Sequence, residues 1–125
     1  MTDGDDRLNF FDEALAGYAK TVELDPKSSQ AYNNMGVALR AQGAFHAAVA
    51  SYRRAIAIKP DDAGSHSNLG NALRALGRHT EAEASHRQAL AIDEDYLEAR
   101  YNLGLVLKDQ GLFDEGIACL REALR

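Results

Sequence analysis

Three asparagines recur at an interval of 34 residues, at Asn34, Asn68 and Asn102. A carboxamide both donates and accepts hydrogen bonds, so each of them can pair with both halves of a peptide group. Equally spaced carboxamides can therefore hold an extended chain without regard to its side chains. Asparagine is a poor helix former, so its place inside a helical pattern favours a binding role. The alternative interpretation is that it only belongs to a repeated sequence pattern.

Three basic residues, Arg40, Arg74 and Lys108, recur at the same interval. If they share one edge of a surface, they form a cationic row that suits carboxylates or phosphates of a partner. This basic row predicts a preference for acidic peptides and an affinity that falls as salt screens the contacts. The alternative is a solvated helix face, on which charges contribute little.

The sequence contains little that could perform catalysis or hold a metal. It has no serine–histidine–aspartate arrangement with a glycine elbow, no phosphate-binding GxxxxGK[ST] loop and no HExxH. A single cysteine, Cys119, excludes an internal disulfide and any CxxC motif. We therefore expect a protein that is not an enzyme and has no cofactor and no metal site.

Length and net charge exclude further kinds of partner for this protein. The chain has 125 residues, enough for one small domain, and a formal net charge of −5, which argues against a nucleic-acid partner. No apolar run approaches the roughly 20 residues that span a bilayer, so no membrane partner is expected. The N-terminus is acidic and lacks the apolar core of a secretory signal, which predicts a cytoplasmic protein.

Self-similarity organises the whole chain. Residues 29–62 and 63–96 are identical at 15 of 34 aligned positions. Such a period is the signature of a repeat architecture. Glycine, asparagine, leucine and alanine recur in three successive units, for example at Gly36, Gly70 and Gly104.

Each unit has the pattern of two helices. Apolar residues recur at helical spacing over 30–42, and Gly43 follows as a left-handed stop. A second pattern begins near Phe45 and ends before Pro60, after which Asp61 and Asp62 are candidate N-caps. The same arrangement predicts helices over 64–76 and 79–92, and over 97–110 and 113–125. No stretch has the alternation that predicts a strand.

These residues resemble the tetratricopeptide repeat (TPR) pattern, W-x2-L-G-x2-Y…A-x3-F…P. With Ser29 as repeat position 1, the first unit matches at Tyr32, Met35, Gly36, Leu39, Ala48, Tyr52, Ala55 and Pro60. The second matches at His66, Leu69, Gly70, Leu73, Ala82, His86 and Ala89. The third matches at Leu103, Gly104, Leu107, Leu120 and Ala123, with Arg100 and Gly116 off the pattern.

The resemblance implies a right-handed α-solenoid of antiparallel helix pairs, with 1–125 as a single domain. Residues 10–28 would be the second helix of a partial repeat, followed by repeats over 29–62, 63–96 and 97–125, the last truncated. Gly36 would let the two helices of its repeat approach, with Ala48 opposite it. His66 and His86 stand where the family has packing aromatics, so we expect them to be packed between helices.

The resemblance also implies a concave groove lined by the first helix of each repeat. The groove residues it assigns are Asn33, Asn34, Arg40, Asn68, Asn71, Arg74, Tyr101, Asn102 and Lys108. The asparagine row is similar to that in the repeat domain of O-linked N-acetylglucosamine transferases. The carboxylate clamp of co-chaperone repeats does not fit, because only Asn68 matches it and Glu98 would repel a carboxylate.

The resulting hypothesis is a non-catalytic protein–protein interaction module that binds an extended peptide and is a fragment of a larger protein. The basic row predicts that this peptide is acidic. One alternative is the substrate-recognition arm of a glycosyltransferase-like enzyme. Another is a scaffold that self-associates end to end into a homo-oligomer. That alternative rests on apolar residues predicted to be uncovered at the two ends, namely Phe10, Phe11, Leu15 and Tyr18, and Ile117, Leu120 and Leu124.

Overall fold

The computed structural model describes residues 3–125, with side chains from Asp12 onward, so the side chains of Phe10 and Phe11 lie outside the described part. Over this range the chain forms α-helices and no strand, which confirms the predicted all-α class. The helices are α1 (Asp3–Leu24), α2 (Ser29–Ala41), α3 (Phe45–Ile58), α4 (Ala63–Ala75), α5 (His79–Ile92), α6 (Leu97–Asp109) and α7 (Phe113–Ala123).

The predicted helix boundaries agree with α2 to α7 within two residues at each end. The exception is α1, which begins at Asp3 although the sequence pattern predicts a helix only from about residue 10. The acidic, polar stretch over residues 3–9 is therefore helical, which its low apolar content did not indicate.

The helices are grouped in two compact units, Met1–Pro60 and Asp61–Arg125. In the first unit, α1 packs on α2 and α2 pairs with α3. In the second unit, α4 pairs with α5, α6 pairs with α7, and α6 also contacts both α4 and α5. We call α2, α4 and α6 the A helices and α3, α5 and α7 the B helices.

The turn from each A helix to its B helix has one geometry. Gly43, Gly77 and Gly111 have φ values of 80°, 75° and 82°, in the left-handed region that favours glycine. In the first turn, the N–H of Gly43 donates to the carbonyl of Arg40 and the N–H of Ala44 donates to the carbonyl of Leu39, both at 2.9 Å. This is a Schellman motif, and it confirms the predicted left-handed stop.

Side-chain caps mark the start of two A helices. Asp62 is the N-cap of α4, and its Oδ1 accepts a hydrogen bond from the backbone N–H of Gly64 at 3.1 Å. Ser28 caps α2 in the same way by accepting from the N–H of Ala31. Asp61 and Asp62 were both predicted as candidate N-caps, and Asp62 is the residue that caps the helix. The preceding helix ends at Ile58, two residues before Pro60, as the proline predicts.

The A and B helices of each repeat meet at a glycine. A Cβ on Gly36 would collide with the ring of Tyr52, and a Cβ on Gly70 would lie 2.6 Å from Nε2 of His86. The atoms nearest Gly36 belong to Tyr52, and Ala48, which was expected opposite Gly36, is fully buried one helical turn earlier on α3. The Tyr52 side chain reaches back to Gly36 because a helical side chain leans toward the N-terminus of its own helix.

In the third repeat, the glycine of the A helix meets different residues from those in the first two repeats. A Cβ on Gly104 would lie 2.8 Å from Cγ of Leu120 and 3.0 Å from the carbonyl oxygen of Gly116. Leu120 stands at the repeat position of Tyr52 and His86 but carries no aromatic ring. Gly116, which departs from the family pattern, thus allows backbone to approach backbone between α6 and α7.

Both expected packing histidines are buried. His86 is fully buried, with its Nδ1 3.4 Å from Oγ of Ser67, and its Nε2 has no hydrogen-bond partner among the described residues. Burial lowers the pKa of His86 to about 4, and the charge of Arg74 contributes in the same direction. His86 is therefore neutral in the folded protein at neutral pH.

Candidate functional site

In the second unit the predicted groove residues lie on two A helices that contact each other, α4 and α6. Asn68 and Asn71 are three residues apart on α4, so they share one face of that helix. Tyr101, Asn102 and Lys108 lie on α6, where Tyr101 and Lys108 are separated by two helical turns. The structure thus brings these predicted residues of the second unit onto neighbouring helices.

Three of these residues offer groups that a ligand can use. Asn71 and Asn102 are half-buried, and neither side chain makes a hydrogen bond to any described residue. Tyr101 is 44% exposed, which leaves its ring and hydroxyl accessible. Together they place two carboxamides that can donate and accept next to an aromatic surface.

The first unit carries the remaining predicted residues on α2. Asn33, Asn34 and Arg40 are all half-buried, and Oδ1 of Asn34 accepts a hydrogen bond from Nε2 of Gln30 at 3.2 Å. Asn34 therefore uses an acceptor within its own helix, which the repeat pattern alone did not indicate. Val37, one turn after Asn33, is an exposed apolar residue on the same helix and was not among the predicted contacts.

The central cation of the basic row is paired within the second unit. Nε of Arg74 lies 2.6 Å from Oδ2 of Asp109, and its second nitrogen donates to Oδ1 at 3.4 Å. The hydrogen bond from Arg74 lowers the pKa of Asp109. The charge of Arg74 is thus compensated locally, whereas Lys108 is exposed. The predicted row does not present three equivalent cations.

Asp109 is the residue of the candidate site that sequence reasoning missed. It occupies the repeat position that holds Ala41 and Ala75 in the two preceding units. That change from alanine to aspartate was visible in the alignment of the repeats. Its partner, Arg74, is 35 residues away and could not be identified without the fold.

A shallow depression of about 360 Å³ lies in the first unit, between α2 and α3, and is lined by Tyr32, Ala50, Ser51 and Arg54. The guanidinium of Arg54 is 5.3 Å from the centre of the Tyr32 ring and donates to its hydroxyl at 3.2 Å. This geometry is a cation–π contact with a hydrogen bond. None of the four residues belongs to the predicted groove.

Within the described residues, no group of three or more histidine, cysteine, aspartate or glutamate side chains is arranged to hold a metal ion. Over the same part of the chain, every helix is too short or too polar to cross a bilayer.

Comparison with protein families identifies the repeats. The family model described as "TPR repeat" matches residues 37–77 and 70–111, and the model described as "Tetratricopeptide repeat" matches residues 18–50. Among curated proteins, no sequence matches this chain significantly.

Similar solved structures include two of MamA and one of YrrB. The MamA structures have TM-scores of 0.86 and 0.85 and are 27% identical in sequence over 94% of this chain, which spans 69% and 64% of those chains. YrrB is described as a TPR protein with an unusual peptide-binding site. It has a TM-score of 0.79 and 24% identity over 94% of this chain, and 61% of its own chain is covered.

The family models extend over more than half of the sequence. The structure agrees with them in its helix pairs, its left-handed glycine turns and the glycine contacts between paired helices. The chain belongs to the tetratricopeptide repeat family.

Proposed function

We propose that this protein is a non-catalytic interaction module that binds an extended peptide segment along the faces of α4 and α6. The observation that carries the proposal is the pair Asn71 and Asn102, which lie on contacting helices. Their carboxamides make no hydrogen bond to any described side chain or backbone group, and Tyr101 beside Asn102 is exposed. The description of YrrB as a protein with a peptide-binding site supports the same use of the fold.

The chemistry of the site fits a peptide backbone. Every non-proline residue of an extended peptide carries one N–H donor and one carbonyl acceptor, and both must be satisfied when they leave water. Asn71 and Asn102 can supply both kinds of group, and the Tyr101 ring can cover an apolar side chain of the peptide. Recognition of this kind depends on the main chain and tolerates variation in the peptide sequence.

Replacing Asn102 with alanine is expected to weaken peptide binding about fivefold to tenfold, the loss of one to two hydrogen bonds at a partly desolvated site. The probe is the peptide most enriched on this protein from a displayed library of random sequences about ten residues long, an extended length of roughly 35 Å. Affinity is measured by isothermal titration calorimetry.

Gln88→Ala is the matched control, because Gln88 is an exposed carboxamide on the B helix α5. It should leave the affinity unchanged. Failure to enrich any peptide above an unrelated control protein, or equal losses for Asn102→Ala and Gln88→Ala, would contradict the proposal.

Replacing Asp109 with asparagine is expected to raise the affinity for acidic peptides about threefold, because it releases the charge of Arg74 toward the same face. The measurement compares the Kd of a glutamate-containing peptide with that of its glutamine analogue. Asp114→Asn makes the same change of charge at an exposed position on α7 and serves as the control. If both variants change the preference equally, net charge explains the effect and the ion pair does not.

A further inference from the structure

The shallow depression between α2 and α3 is lined by Tyr32, Ala50, Ser51 and Arg54, and we call it the α2–α3 depression. Its volume of about 360 Å³ is at the lower end of the roughly 300–1,000 Å³ of small-ligand sites, so it suits a side chain better than a larger molecule. All four lining residues belong to the first unit. None of them takes part in the peptide site on α4 and α6.

This depression lies away from the side of a B helix on which the following A helix packs. In the second unit, α6 contacts α5 through Glu83, whose Oε1 accepts a hydrogen bond from Nε2 of Gln110. The residue at that repeat position in α3 is Val49. At about 100° per residue, Ser51 and Arg54 stand roughly 160° and 140° around the helix from Val49. The preceding helix, α1, packs on α2 and leaves the depression open.

The guanidinium of Arg54 is held in place by Tyr32. It stacks over the ring at 5.3 Å from the centre, and its Nη2 donates to the hydroxyl at 3.2 Å. A guanidinium has five N–H donors, and this hydrogen bond uses one of them. Arg54 makes no ion pair with a carboxylate of any described residue. The contact with Tyr32 therefore orients the cation and leaves most of its donors available.

Ser51 brings a second polar group to the depression. The residue is only 8% exposed, so more than nine-tenths of it is buried, yet it lines the depression. Its hydroxyl makes no hydrogen bond to any described residue. A buried hydroxyl without a partner is unfavourable, and a polar group of a ligand beside Arg54 would satisfy it.

The surrounding charge favours an anion. Residues 29–58, which form α2, α3 and the turn between them, contain three arginines and no aspartate or glutamate, although the whole chain has a formal net charge of −5. Ala50 and Ser51 lie inside α3, where the backbone N–H groups are used by the helix, so the donors are side chains. One guanidinium matches the single charge and planar shape of a carboxylate. Phosphate sites typically add free backbone N–H groups, such as those of a helix N-terminus.

We propose that the α2–α3 depression binds a carboxylate of a partner polypeptide, through paired hydrogen bonds from Arg54 and one from the hydroxyl of Ser51. The Tyr32 ring and the methyl group of Ala50 provide apolar contacts for the atoms next to the carboxylate. The second and third repeats have Gln88 and Glu122 at the position of Arg54, so the site is particular to the first repeat. It does not depend on the peptide site on α4 and α6, and either proposal can fail alone.

The test uses the complete chain, three peptide probes and heteronuclear NMR. The first probe is acetyl-Gly-Ala-Glu-Ala-Gly-amide, the second is its glutamine analogue, and the third is that analogue with a free C-terminal carboxylate. The first should bind with a Kd on the order of 1 mM, with the largest shifts at Ser51 and at Nε of Arg54. The second should bind at least about tenfold more weakly. Binding of the third would also support the proposal, and its affinity relative to the first tells whether a side chain or a chain terminus supplies the carboxylate.

Substitutions locate the site. Arg54→Gln copies the residue of the second repeat and should weaken binding of the first probe about tenfold or more. Arg54→Lys keeps the charge but loses the planar pair of donors, and it should weaken binding about threefold, as should Ser51→Ala. Arg53→Gln is the matched control, because it removes the same charge from the neighbouring exposed position, about 100° around the helix. It should change the affinity less than twofold.

Equal losses for Arg53→Gln and Arg54→Gln would overturn the proposal, because binding would then follow net charge alone. Equal binding of the glutamate and glutamine probes would also overturn it. Inorganic phosphate is the last probe. If it produced the same shifts at a lower concentration than the glutamate peptide, the ligand would be a phosphate and the assignment to a carboxylate would be wrong.

Discussion

Replacing Gly116 with alanine is expected to lower the free energy of unfolding by about 2 kcal/mol. The new Cβ would lie 2.9 Å from the carbonyl oxygen of Gly104 and 3.2 Å from the backbone nitrogen of Lys108. Both neighbours are backbone atoms of α6, so the contact cannot be relieved by turning a side chain. The helices must move apart, and this cost exceeds the roughly 1 kcal/mol that alanine gains over glycine within a helix.

Urea unfolding followed by far-ultraviolet circular dichroism measures this effect. Gly17→Ala is the matched control, since Gly17 lies inside α1 and a Cβ there would meet no atom within 4 Å. It should raise the free energy of unfolding by about 0.5–1 kcal/mol through helix propensity alone. If Gly116→Ala were as stable as Gly17→Ala, the close approach of α6 and α7 would not be a feature of the folded protein.

The second large effect is a loss of stability as the pH falls, caused by His86. Its pKa is lowered from 6.5 to about 4 in the fold, mainly because burial disfavours the charged ring. The unfolded chain binds the proton first, so the contribution of His86 to stability is complete above about pH 6.5. It is lost as the pH falls from there to about 4, and the total loss is roughly 3 kcal/mol.

His86→Tyr is the informative variant, because Tyr52 already occupies the same repeat position opposite Gly36. The free energy of unfolding, measured at intervals between pH 7 and 4, should fall less steeply for this variant than for the unsubstituted protein. The background from the other titrating groups is common to both proteins. Parallel pH profiles would mean that His86 is protonated without cost in the folded state.

The boundaries of α2 to α7 could be predicted from the sequence alone, because the signals that set them are local, whereas the start of α1 could not. Gly43, Gly77 and Gly111 adopt the left-handed conformation that ends each A helix, and a side chain at these positions would be strained. Asp62 caps α4 through atoms only two residues apart, and Pro60 excludes helical geometry from the residue before it. Such short-range constraints act before any tertiary contact forms, and the repeat period shows where each of them recurs.

The candidate site depended on the tertiary structure. The same repeat position holds Arg40, Arg74 and Lys108, which suggested three equivalent cations, yet Asp109 neutralises Arg74 from the next A helix. Similarly, Asn34 accepts a hydrogen bond from Gln30, whereas Asn102 makes no such bond to any described residue. A repeat pattern specifies which residues occupy equivalent positions. Neighbouring side chains in three dimensions decide which of them stay available to a ligand, because charge and hydrogen-bonding capacity are consumed by contacts between residues distant in sequence.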